Sequence, residues 1–176
     1  MTEPSQIDLA ARIRAIPDFP KPGILFRDIM PLLQDAQALR AAVDRMAEWA
    51  VGRHVDVVLG AESRGFILGS ALAYAMNAGF VCARKPGKLP FDTVSETYEL
   101  EYGTDSLEVH ADAIGPGVNV LVHDDLLATG GTARAKVRLV EKMGGTVVGA
   151  TFLIELADLK GRDKLPGIDV LSLITY

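Results

Sequence analysis

The chain has 176 residues, a formal net charge of −5 and a hydrophobic content of 49%. This length predicts one α/β domain over residues 1–176, and the apolar content is sufficient for a packed core. The acidic balance argues against a general nucleic-acid binder, and no apolar stretch reaches the roughly 20 residues of a membrane span. Cys82 is the only cysteine, so no internal disulfide is possible, which suits a reducing cytoplasm. The N-terminus carries no long apolar run, so we expect no signal peptide.

The N-terminal segment is predicted to form a helix followed by a stiff loop. Apolar residues at helical spacing predict an amphipathic helix over about residues 6–15, which Pro17 ends. Residues 18–23 read Asp-Phe-Pro-Lys-Pro-Gly, a loop punctuated by proline and glycine. Residues 24–29 then predict a short element that covers the edge of the core. Arg27 in this element either serves a substrate or pairs with the neighbouring aspartate.

A helix, a buried strand and a second helix come next. Residues 36–51 carry an apolar stripe typical of a helix, and residues 55–59 read as a buried strand. The strand ends at residues 60–65, Gly-Ala-Glu-Ser-Arg-Gly, and residues 66–77 return to helix. The polar side chains of this loop and the free N–H groups at the start of the helix can bind an anion. The alternative is an ordinary loop that begins a helix.

Residues 80–83 predict a third strand, and the chain beyond it reverses its charge. Arg84, Lys85 and Lys88 place three cations close together in an otherwise acidic chain. Such a cluster can neutralise a pyrophosphate leaving group, or it can be a solvated basic loop. Residues 93–110 alternate apolar and polar side chains around a Gly-Thr turn, which predicts a β-hairpin. A polar hairpin of this kind can act as a mobile flap that excludes water from a site.

The centre of the predicted fold is the stretch over residues 118–132. It reads Val-Asn-Val-Leu-Val-His-Asp-Asp-Leu-Leu-Ala-Thr-Gly-Gly-Thr, an apolar run followed by two acids and a glycine-rich loop. The run is typical of a strand buried on both faces of a parallel sheet. Residues 133–143 recur at helical spacing, a Gly-Gly pair ends them, and a second apolar run follows at 147–154. This βαβ unit places its first loop where open α/β sheets bind ligands.

The chemistry of that loop suits a phosphate beside a sugar. The glycines permit a close approach of the backbone, the threonines supply hydroxyls, and N–H groups at the start of the helix attract an anion. No lysine follows the glycines, so this is not the loop of the nucleoside triphosphatases. Asp124 and Asp125 would repel a phosphate, whereas carboxylates accept hydrogen bonds from a sugar diol. Together these features favour ribose 5-phosphate over the alternative, a glycine-rich turn with two solvated acids.

Two segments complete the chain. Residues 155–162 are charged and are predicted to lie at the surface. Residues 169–174 are apolar and predict a final strand at the edge of the sheet. The predicted fold class is therefore α/β, with a mostly parallel sheet, helices on both faces and an antiparallel hairpin.

Several of these segments resemble one family. The text Val-Leu-Val-His-Asp-Asp-Leu-Leu-Ala-Thr-Gly-Gly-Thr resembles the phosphoribosyl-pyrophosphate signature of the type I phosphoribosyltransferases, and of their adenine-specific members in particular. Phe-Pro-x-Pro-Gly-Ile-x-Phe-Arg-Asp-Ile, Arg-Lys-x-Gly-Lys-Leu-Pro and Glu-Leu-Glu-Tyr-Gly are similar to that family's N-terminal hood, basic loop and flexible loop. His123 departs from the pattern, because the family more often has an aliphatic residue there. The resemblance implies a single-domain type I phosphoribosyltransferase-like fold, with the hood at about 1–35 and the flexible loop and flap at about 84–110.

The resemblance also implies an activity, namely transfer of the 5-phosphoribosyl group from phosphoribosyl pyrophosphate to adenine, which gives AMP and pyrophosphate. By this match Asp124 and Asp125 hold the ribose, and Ala128, Thr129, Gly130, Gly131 and Thr132 hold the 5-phosphate; Ser63, Arg64, Arg84, Lys85, Lys88 and Tyr102 contact phosphate or pyrophosphate; Leu25, Phe26, Arg64 and Leu126 surround adenine. Glu101 and Arg64 are the expected catalytic residues, with Glu101 handling a proton on the base. The family also implies a non-proline cis peptide near Ser63.

The expected cofactor is Mg²⁺, bound through substrate oxygens with carboxylates in its outer shell and no ligand supplied directly by the protein. No His/Cys cluster in the sequence indicates zinc. The expected assembly is a homodimer in the cytoplasm, with no nucleic-acid or membrane partner. Two alternatives stay open. One is the same chemistry on guanine, xanthine or orotate, and the other is a ligand-sensing regulator that keeps the phosphoribosyl site without catalysis.

Overall fold

The fold is known from a computed structural model that describes residues 7–99 and 103–176. Its strands and helices are, in chain order, β1 (Arg14–Pro17), β2 (Leu25–Asp28), α1 (Met30–Gln34), α2 (Ala36–Trp49), β3 (Val57–Ala61), α3 (Arg64–Ala75), β4 (Gly79–Ala83), β5 (Thr93–Glu99), β6 (Thr104–His110), β7 (Asn119–Leu127), α4 (Gly131–Lys142), β8 (Thr146–Glu155) and β9 (Val170–Thr175). Short 3-10 turns lie at Ala10–Arg12, Ala157–Leu159 and Gly161–Lys164.

Five of the described strands form a parallel sheet in the order β4-β3-β7-β8-β9. β7 lies in the middle because Val120, Leu121 and Val122 are fully buried, as the apolar run predicts. It pairs with β3 on one side and β8 on the other, and β9 lies at the edge as predicted. All five strands run the same way, so their carboxyl ends meet at one edge of the sheet. That edge is where ligands bind in open α/β sheets.

Helices cover both faces of this sheet, which confirms the predicted fold class. On one face, α2 and α3 bury residues such as Met46 and Leu72 against Leu121 of the central strand. On the other face, α4 buries Leu139 and Val140 against β7, together with residues of the β5–β6 hairpin. The two helices that follow β3 and β7 therefore begin at the same edge of the sheet and flank it from opposite sides.

The predicted N-terminal helix is wrong over the residues that the structure describes. Residues 10–12 form a single 3-10 turn, and β1 then pairs antiparallel with β2, with Ile16 opposite Phe26. Helical spacing misled the prediction because Leu9 does enter the core, while the residues after it are drawn into a strand pairing. Asp18 adopts a positive φ of 58° and reverses the chain between the two strands. This antiparallel pair lies within the stretch of about residues 1–35 that was predicted as the N-terminal hood.

The predicted hairpin is confirmed by β5 and β6, which pair from Thr93 opposite His110 to Glu99 opposite Thr104. Glu96 anchors the hairpin to α4, because its buried carboxylate lies 3.1 Å from the Arg138 guanidinium and also contacts the Lys142 ammonium. Burial raises the pKa of the Glu96 carboxyl, but the two cations lower it by more, so the pKa lies below its ordinary value.

The charged segment at residues 155–162 lies mostly at the surface, as predicted, since residues 157–160 and 162 are exposed. Glu155, the last residue of β8, is an exception: it is buried, and its two carboxylate oxygens each lie 2.7 Å from the Arg162 guanidinium. A bidentate ion pair of this kind allows a carboxylate to be buried. Gly161 packs closely against the loop between β7 and α4, since a Cβ atom there would lie 2.3 Å from the Ala128 carbonyl oxygen. Among the described helices, none is long and apolar enough to cross a membrane.

Candidate active site

The carboxyl ends of β3 and β7 open into a cavity of about 490 Å³. Its lining consists of residues 61–64, which follow β3, and residues 124–133, which run from the end of β7 into α4. The structure therefore brings together two loops that are far apart in the sequence. Of the predicted site residues, Ser63, Arg64, Asp124, Asp125, Leu126, Ala128, Thr129, Gly130, Gly131 and Thr132 all line this one cavity.

The glycine-rich loop between β7 and α4 is shaped by close packing. Gly130 precedes α4 and has a φ of 79°, the left-handed conformation that glycine adopts readily. A Cβ atom at Gly130 would also lie 2.4 Å from the carbonyl oxygen of Gly161. The helix then begins at Gly131, where the first N–H groups have no helical partners and carry the positive end of the dipole. The loop thus has the backbone and the field that a phosphate requires.

Each of the two acids is matched by its own cation. The Asp124 carboxylate lies 2.7 Å from the Lys136 ammonium, and its other oxygen accepts a hydrogen bond from the Asp125 N–H at 3.1 Å. Asp125 is buried, with its carboxylate 2.8 Å from Nε of Arg64. Burial, and then the adjacent negative charge of Asp124, raise the pKa of Asp125 to about 6, while Arg64 and Lys136 act to lower it.

Lys136 is a residue beside this site that sequence reasoning missed. The side chain of Lys136 is fully buried, and its Nζ donates to the His123 carbonyl oxygen at 2.5 Å as well as to Asp124. The signal was its position, three residues after Ala133 and four before Val140, on the apolar face of α4. A lysine on that face needs a buried anion.

His123 has an unusual environment for an ionisable group. Its side chain is fully buried, Nδ1 lies 3.0 Å from the Thr151 hydroxyl, and Nε2 has no hydrogen-bond partner among the described residues. Burial lowers the pKa of His123 to about 4, and the nearby Lys136 charge adds to this effect. The imidazole is therefore neutral at physiological pH and belongs to the core beneath the two acids.

The loop after β3 contributes a second missed residue, Glu62. The peptide bond between Glu62 and Ser63 is cis, as predicted, and α3 begins directly after Ser63. The Glu62 carboxylate accepts hydrogen bonds from the Arg84 guanidinium at 2.9 and 3.0 Å and from the Lys85 N–H at 2.7 Å. Although burial opposes them, these bonds hold the pKa of Glu62 below its ordinary value. Glu62 thus ties the basic loop to the wall of the cavity.

The three cations of the basic loop lie beside the cavity and are not part of its lining. Arg84 is held by Glu62 and also donates to the Lys88 carbonyl at 3.2 Å. The Lys85 ammonium lies 2.9 Å from the carboxylate of Asp105 on β6. Lys88 is exposed. Their contact with a pyrophosphate therefore stays a prediction.

The hood does not line the cavity, but one of its aromatic side chains lies near Arg64, which does. Phe26 is half-buried, the Arg64 guanidinium carbon lies 5.3 Å from the centre of its ring, and Phe19 packs edge-on against it. Leu25 beside it is exposed, and Leu126 lines the cavity. Arg27, whose role the sequence left open, stacks at 3.6 Å on the ring of Tyr176, while Asp28 lies 3.6 Å from Arg14. Glu101 and Tyr102, predicted to act on the base and the pyrophosphate, lie outside the described residues.

The fold and the cavity define a class of protein. Paired acids and a glycine-rich loop lie at the carboxyl end of the central parallel strand, a combination whose chemistry suits a phosphorylated sugar. Comparison with known proteins agrees, because residues 32–173 match the family model described as a phosphoribosyl transferase domain.

Individual relatives show which phosphoribosyltransferases this chain is similar to. The chain is 63% identical to an adenine phosphoribosyltransferase of Rubrobacter xylanophilus, over 94% of this chain and 90% of that protein. It is 58% identical to the adenine phosphoribosyltransferase of Desulfitobacterium hafniense, over 97% and 98% of the two chains. A crystal structure of the Thermoanaerobacter pseudethanolicus adenine phosphoribosyltransferase superposes with a TM-score of 0.93 at 52% identity, covering 96% of this chain and 98% of that one. The chain therefore belongs to the adenine phosphoribosyltransferase family.

A structure of a more distant relative contains ligands. The Saccharomyces cerevisiae adenine phosphoribosyltransferase, in complex with adenine and an imino-altritol bisphosphate, superposes with a TM-score of 0.88 at 40% identity, over 94% of this chain and 96% of that one.

The environment of His123 predicts how stability depends on pH. Its pKa of about 4 in the folded protein lies below the ordinary value of 6.5, so the unfolded chain binds more protons between these values. His123 therefore stabilises the fold fully above pH 6.5, and this contribution falls as pH drops towards 4, by at most about 1.4 kcal/mol per pH unit. Asp125 has the opposite effect on the free energy of unfolding. Because its pKa is raised in the folded protein, it contributes stability at low pH, and this contribution is lost as pH rises through about 6.

Comparing variants separates these two effects. We expect the free energy of unfolding of wild type minus that of His123→Leu to decrease steadily between pH 6.5 and 4 in urea titrations. His54→Asn, which changes an exposed histidine, should leave the pH dependence of wild type intact. A difference that stays constant across this range would show that His123 is not held neutral by the fold.

Proposed function

We propose that this protein transfers the 5-phosphoribosyl group of phosphoribosyl pyrophosphate to adenine, giving AMP and pyrophosphate for purine salvage. The single observation that carries the proposal is the shared cavity, in which Asp124, Asp125 and the loop at 128–132 stand opposite Ser63 and Arg64. Membership of the adenine phosphoribosyltransferase family supports the same reaction. In this proposal the whole chain works as one phosphoribosyltransferase domain.

The ribose 5-phosphate is proposed to bind along the end of β7. Its phosphate would accept hydrogen bonds from the backbone and hydroxyls of residues 128–132, and its diol would donate to Asp124 and Asp125. Both acids already accept from a cation, but a carboxylate has about four lone-pair sites, so capacity for hydroxyl donors remains. The charges of Arg64 and Lys136 offset the repulsion between the acids and the phosphate.

The pyrophosphate is proposed to leave between the loop after β3 and the basic loop. Its proposed contacts are Ser63, Arg64, Arg84, Lys85, Lys88 and Tyr102. Glu62 binds Arg84, and Asp105 binds Lys85. To contact the pyrophosphate, each of these two cations would either keep its carboxylate partner as well or exchange it for the pyrophosphate. Cations fixed in advance near the leaving group stabilise the charge that develops on it.

Adenine is proposed to bind between the hood and the end of β7. Leu25, Phe26 and Leu126 would provide apolar walls for a flat base, and Arg64 would stand at its edge. A base that attacks through one ring nitrogen must lose a proton elsewhere, and Glu101 is the proposed residue for that step. The β5–β6 hairpin is proposed to act as a flap that excludes water from the site during this step.

Magnesium is the proposed cofactor, and the donor set around the cavity fits an ion held mainly by its substrate. In the parts of the chain that the structure describes, no group of three His, Cys, Asp or Glu side chains could hold a metal. The two acids of the cavity are already bound by Arg64 and Lys136. The Mg²⁺ would therefore take its ligands from pyrophosphate, ribose and water, as this ion prefers. When bound, it would neutralise charge on the leaving pyrophosphate.

The reaction itself is tested by measuring pyrophosphate release with phosphoribosyl pyrophosphate, Mg²⁺ and one base at a time. We expect turnover with adenine and at least about 100-fold lower kcat/KM with guanine, hypoxanthine, xanthine and orotate, because a site built for particular hydrogen bonds rejects a base that leaves them unpaired. Preference for another base would contradict the proposed base site and keep the phosphoribosyl transfer. Absence of turnover in a protein that binds the sugar donor, together with retention of DNA on a filter, would favour the ligand-sensing regulator.

The role of Asp125 is tested by Asp125→Asn. We expect kcat/KM for phosphoribosyl pyrophosphate to fall roughly 10- to 100-fold, since one charge-assisted hydrogen bond is worth about 1.5–3 kcal/mol. Arg64 is partly exposed, so water can solvate it in the variant and the unfolding midpoint should change little. Asp169→Asn is the matched control, because Asp169 is an exposed acid that precedes β9. Wild-type kinetics in Asp125→Asn would remove this residue from the ribose site.

The assembly is proposed to be a homodimer in the cytoplasm. α3 exposes large apolar side chains, with Tyr74 90% accessible and Ile67 41%, and Met30 and Phe91 are also exposed. Ile67 and Tyr74 are seven residues apart and therefore lie on the same face of α3, and a contiguous exposed apolar patch can mark an interface. The lone cysteine, which cannot form an internal disulfide, suits the cytoplasm.

Light scattering after size exclusion tests the dimer. We expect twice the monomer mass for wild type and a shift towards monomer for Tyr74→Glu combined with Ile67→Glu, because charges are costly to bury in an apolar interface. Val51→Glu, which changes another exposed apolar residue just after α2, serves as the control. A monomeric wild type, or a double variant that stays dimeric, would place the interface elsewhere or exclude it.

A further inference from the structure

Lys136 is a fully buried lysine one helical turn beyond the phosphate loop. It lies on α4, four residues after Thr132, and none of its side chain is accessible to solvent. Its Nζ contacts the Asp124 carboxylate at 2.7 Å and the His123 carbonyl oxygen at 2.5 Å. Both partners belong to the end of β7, so the ammonium binds the strand directly beneath the ribose site.

Fold stability alone does not account for a charge at this position. Burying an ammonium and a carboxylate removes both from water, and replacing such a pair by apolar side chains is often neutral or stabilising. Lys136 stands among buried apolar residues of α4, including Ala133, Val137 and Val140, which shows the kind of side chain that packing alone would favour. The charge therefore points to a requirement at Asp124 rather than in the core.

Asp124 is held on three sides. Lys136 binds one carboxylate oxygen, the Asp125 N–H binds the other, and the backbone of α3 closes against it at Gly65. A Cβ atom at Gly65 would lie only 2.6 Å from Oδ1 of Asp124, so the helix approaches as closely as a glycine allows. The carboxylate is left with one orientation. The charged groups that face the pair of acids are Arg64 from α3 and Lys136 from α4, with neutral His123 below.

We propose that Lys136 is a positioning residue that fixes the Asp124 carboxylate for the ribose hydroxyls of a phosphorylated ribose donor. Its positive charge also offsets one of the two negative charges that stand beside the bound phosphate. This inference rests on the proposed function, since it assigns the donor to the end of β7. It predicts a specific effect on the sugar donor, because the adenine site is built from the hood and Leu126 and is not in contact with Lys136 in the described residues.

The test is Lys136→Met, which keeps the length and apolar stem of the side chain and removes the charge. We expect the KM for phosphoribosyl pyrophosphate to rise about tenfold or more, the equivalent of one charge-assisted hydrogen bond, and the KM for adenine to stay within about twofold. Lys136→Gln, which retains a donor without the charge, should give an intermediate KM for the donor. Lys164→Met, at an exposed lysine, is the matched control and should behave as wild type.

A double variant separates positioning from a structural role. Asp124→Asn should weaken donor binding by itself, so it serves as the background for a double-variant cycle. If Lys136 acts through Asp124, Lys136→Met should raise the KM for the donor about tenfold in wild type and less than about twofold in the Asp124→Asn background. An equal rise in both backgrounds would show that Lys136 acts independently of Asp124 and would overturn the proposal. An unchanged KM for the donor in Lys136→Met would overturn it too. Should Lys136→Met fail to fold, Lys136→Gln replaces it in the same comparison, and the same two outcomes decide.

Failure of the proposed function is distinguishable from failure of this inference. Wild-type protein without turnover on any base would contradict the function, whatever Lys136 does. Calorimetric titration with phosphoribosyl pyrophosphate and Mg²⁺ then still compares wild type with Lys136→Met. A loss of about tenfold in donor affinity supports the positioning role, and equal affinities overturn it.

Discussion

Two carboxylates stand side by side at the end of β7, in a cavity that they share with the loop after β3 and the glycine-rich loop before α4, and this juxtaposition is the constraint on which the site depends. Unpaired, Asp124 and Asp125 would repel each other and any phosphate nearby. The structure resolves the conflict with one cation for each acid, Arg64 from the helix after β3 and Lys136 from the helix after β7. Each helix is thereby fixed to the central strand by charge as well as by apolar packing.

Close backbone contacts make this arrangement possible. Gly65 lets α3 approach Asp124, and Gly130 and Gly161 let the phosphate loop rest against the segment after β8. In each case a single Cβ atom would lie within 2.6 Å of an oxygen atom. These glycines are needed for proximity more than for flexibility, and they explain why a loop, a helix and a 3-10 turn from distant parts of the sequence can share one cavity.

The sequence predicted the parts of the fold that depend on local patterns. The apolar run of β7, the glycine-rich loop and the alternating hairpin are each visible within a short stretch of chain, and their places in the structure agree. The prediction of an N-terminal helix failed because β1 is formed by pairing with β2, a contact that helical spacing cannot reveal. Lys136 and Glu62 were missed for a related reason. Their roles come from Asp124 and Arg84, partners that only the fold brings within hydrogen-bond distance.

Arg64 links the two halves of the proposed reaction. Its Nε binds Asp125, which belongs to the ribose site, while the same guanidinium lies 5.3 Å from the ring of Phe26 in the hood. The position of this one guanidinium is therefore set both by the buried carboxylate and by the aromatic ring, which an arginine can contact through its planar face. Lys136 has no such connection, since both of its hydrogen-bond partners among the described residues lie on β7. The two cations therefore have different surroundings: Lys136 joins α4 to β7 alone, whereas Arg64 joins Asp125 of β7 to the aromatic side chain of Phe26 on β2.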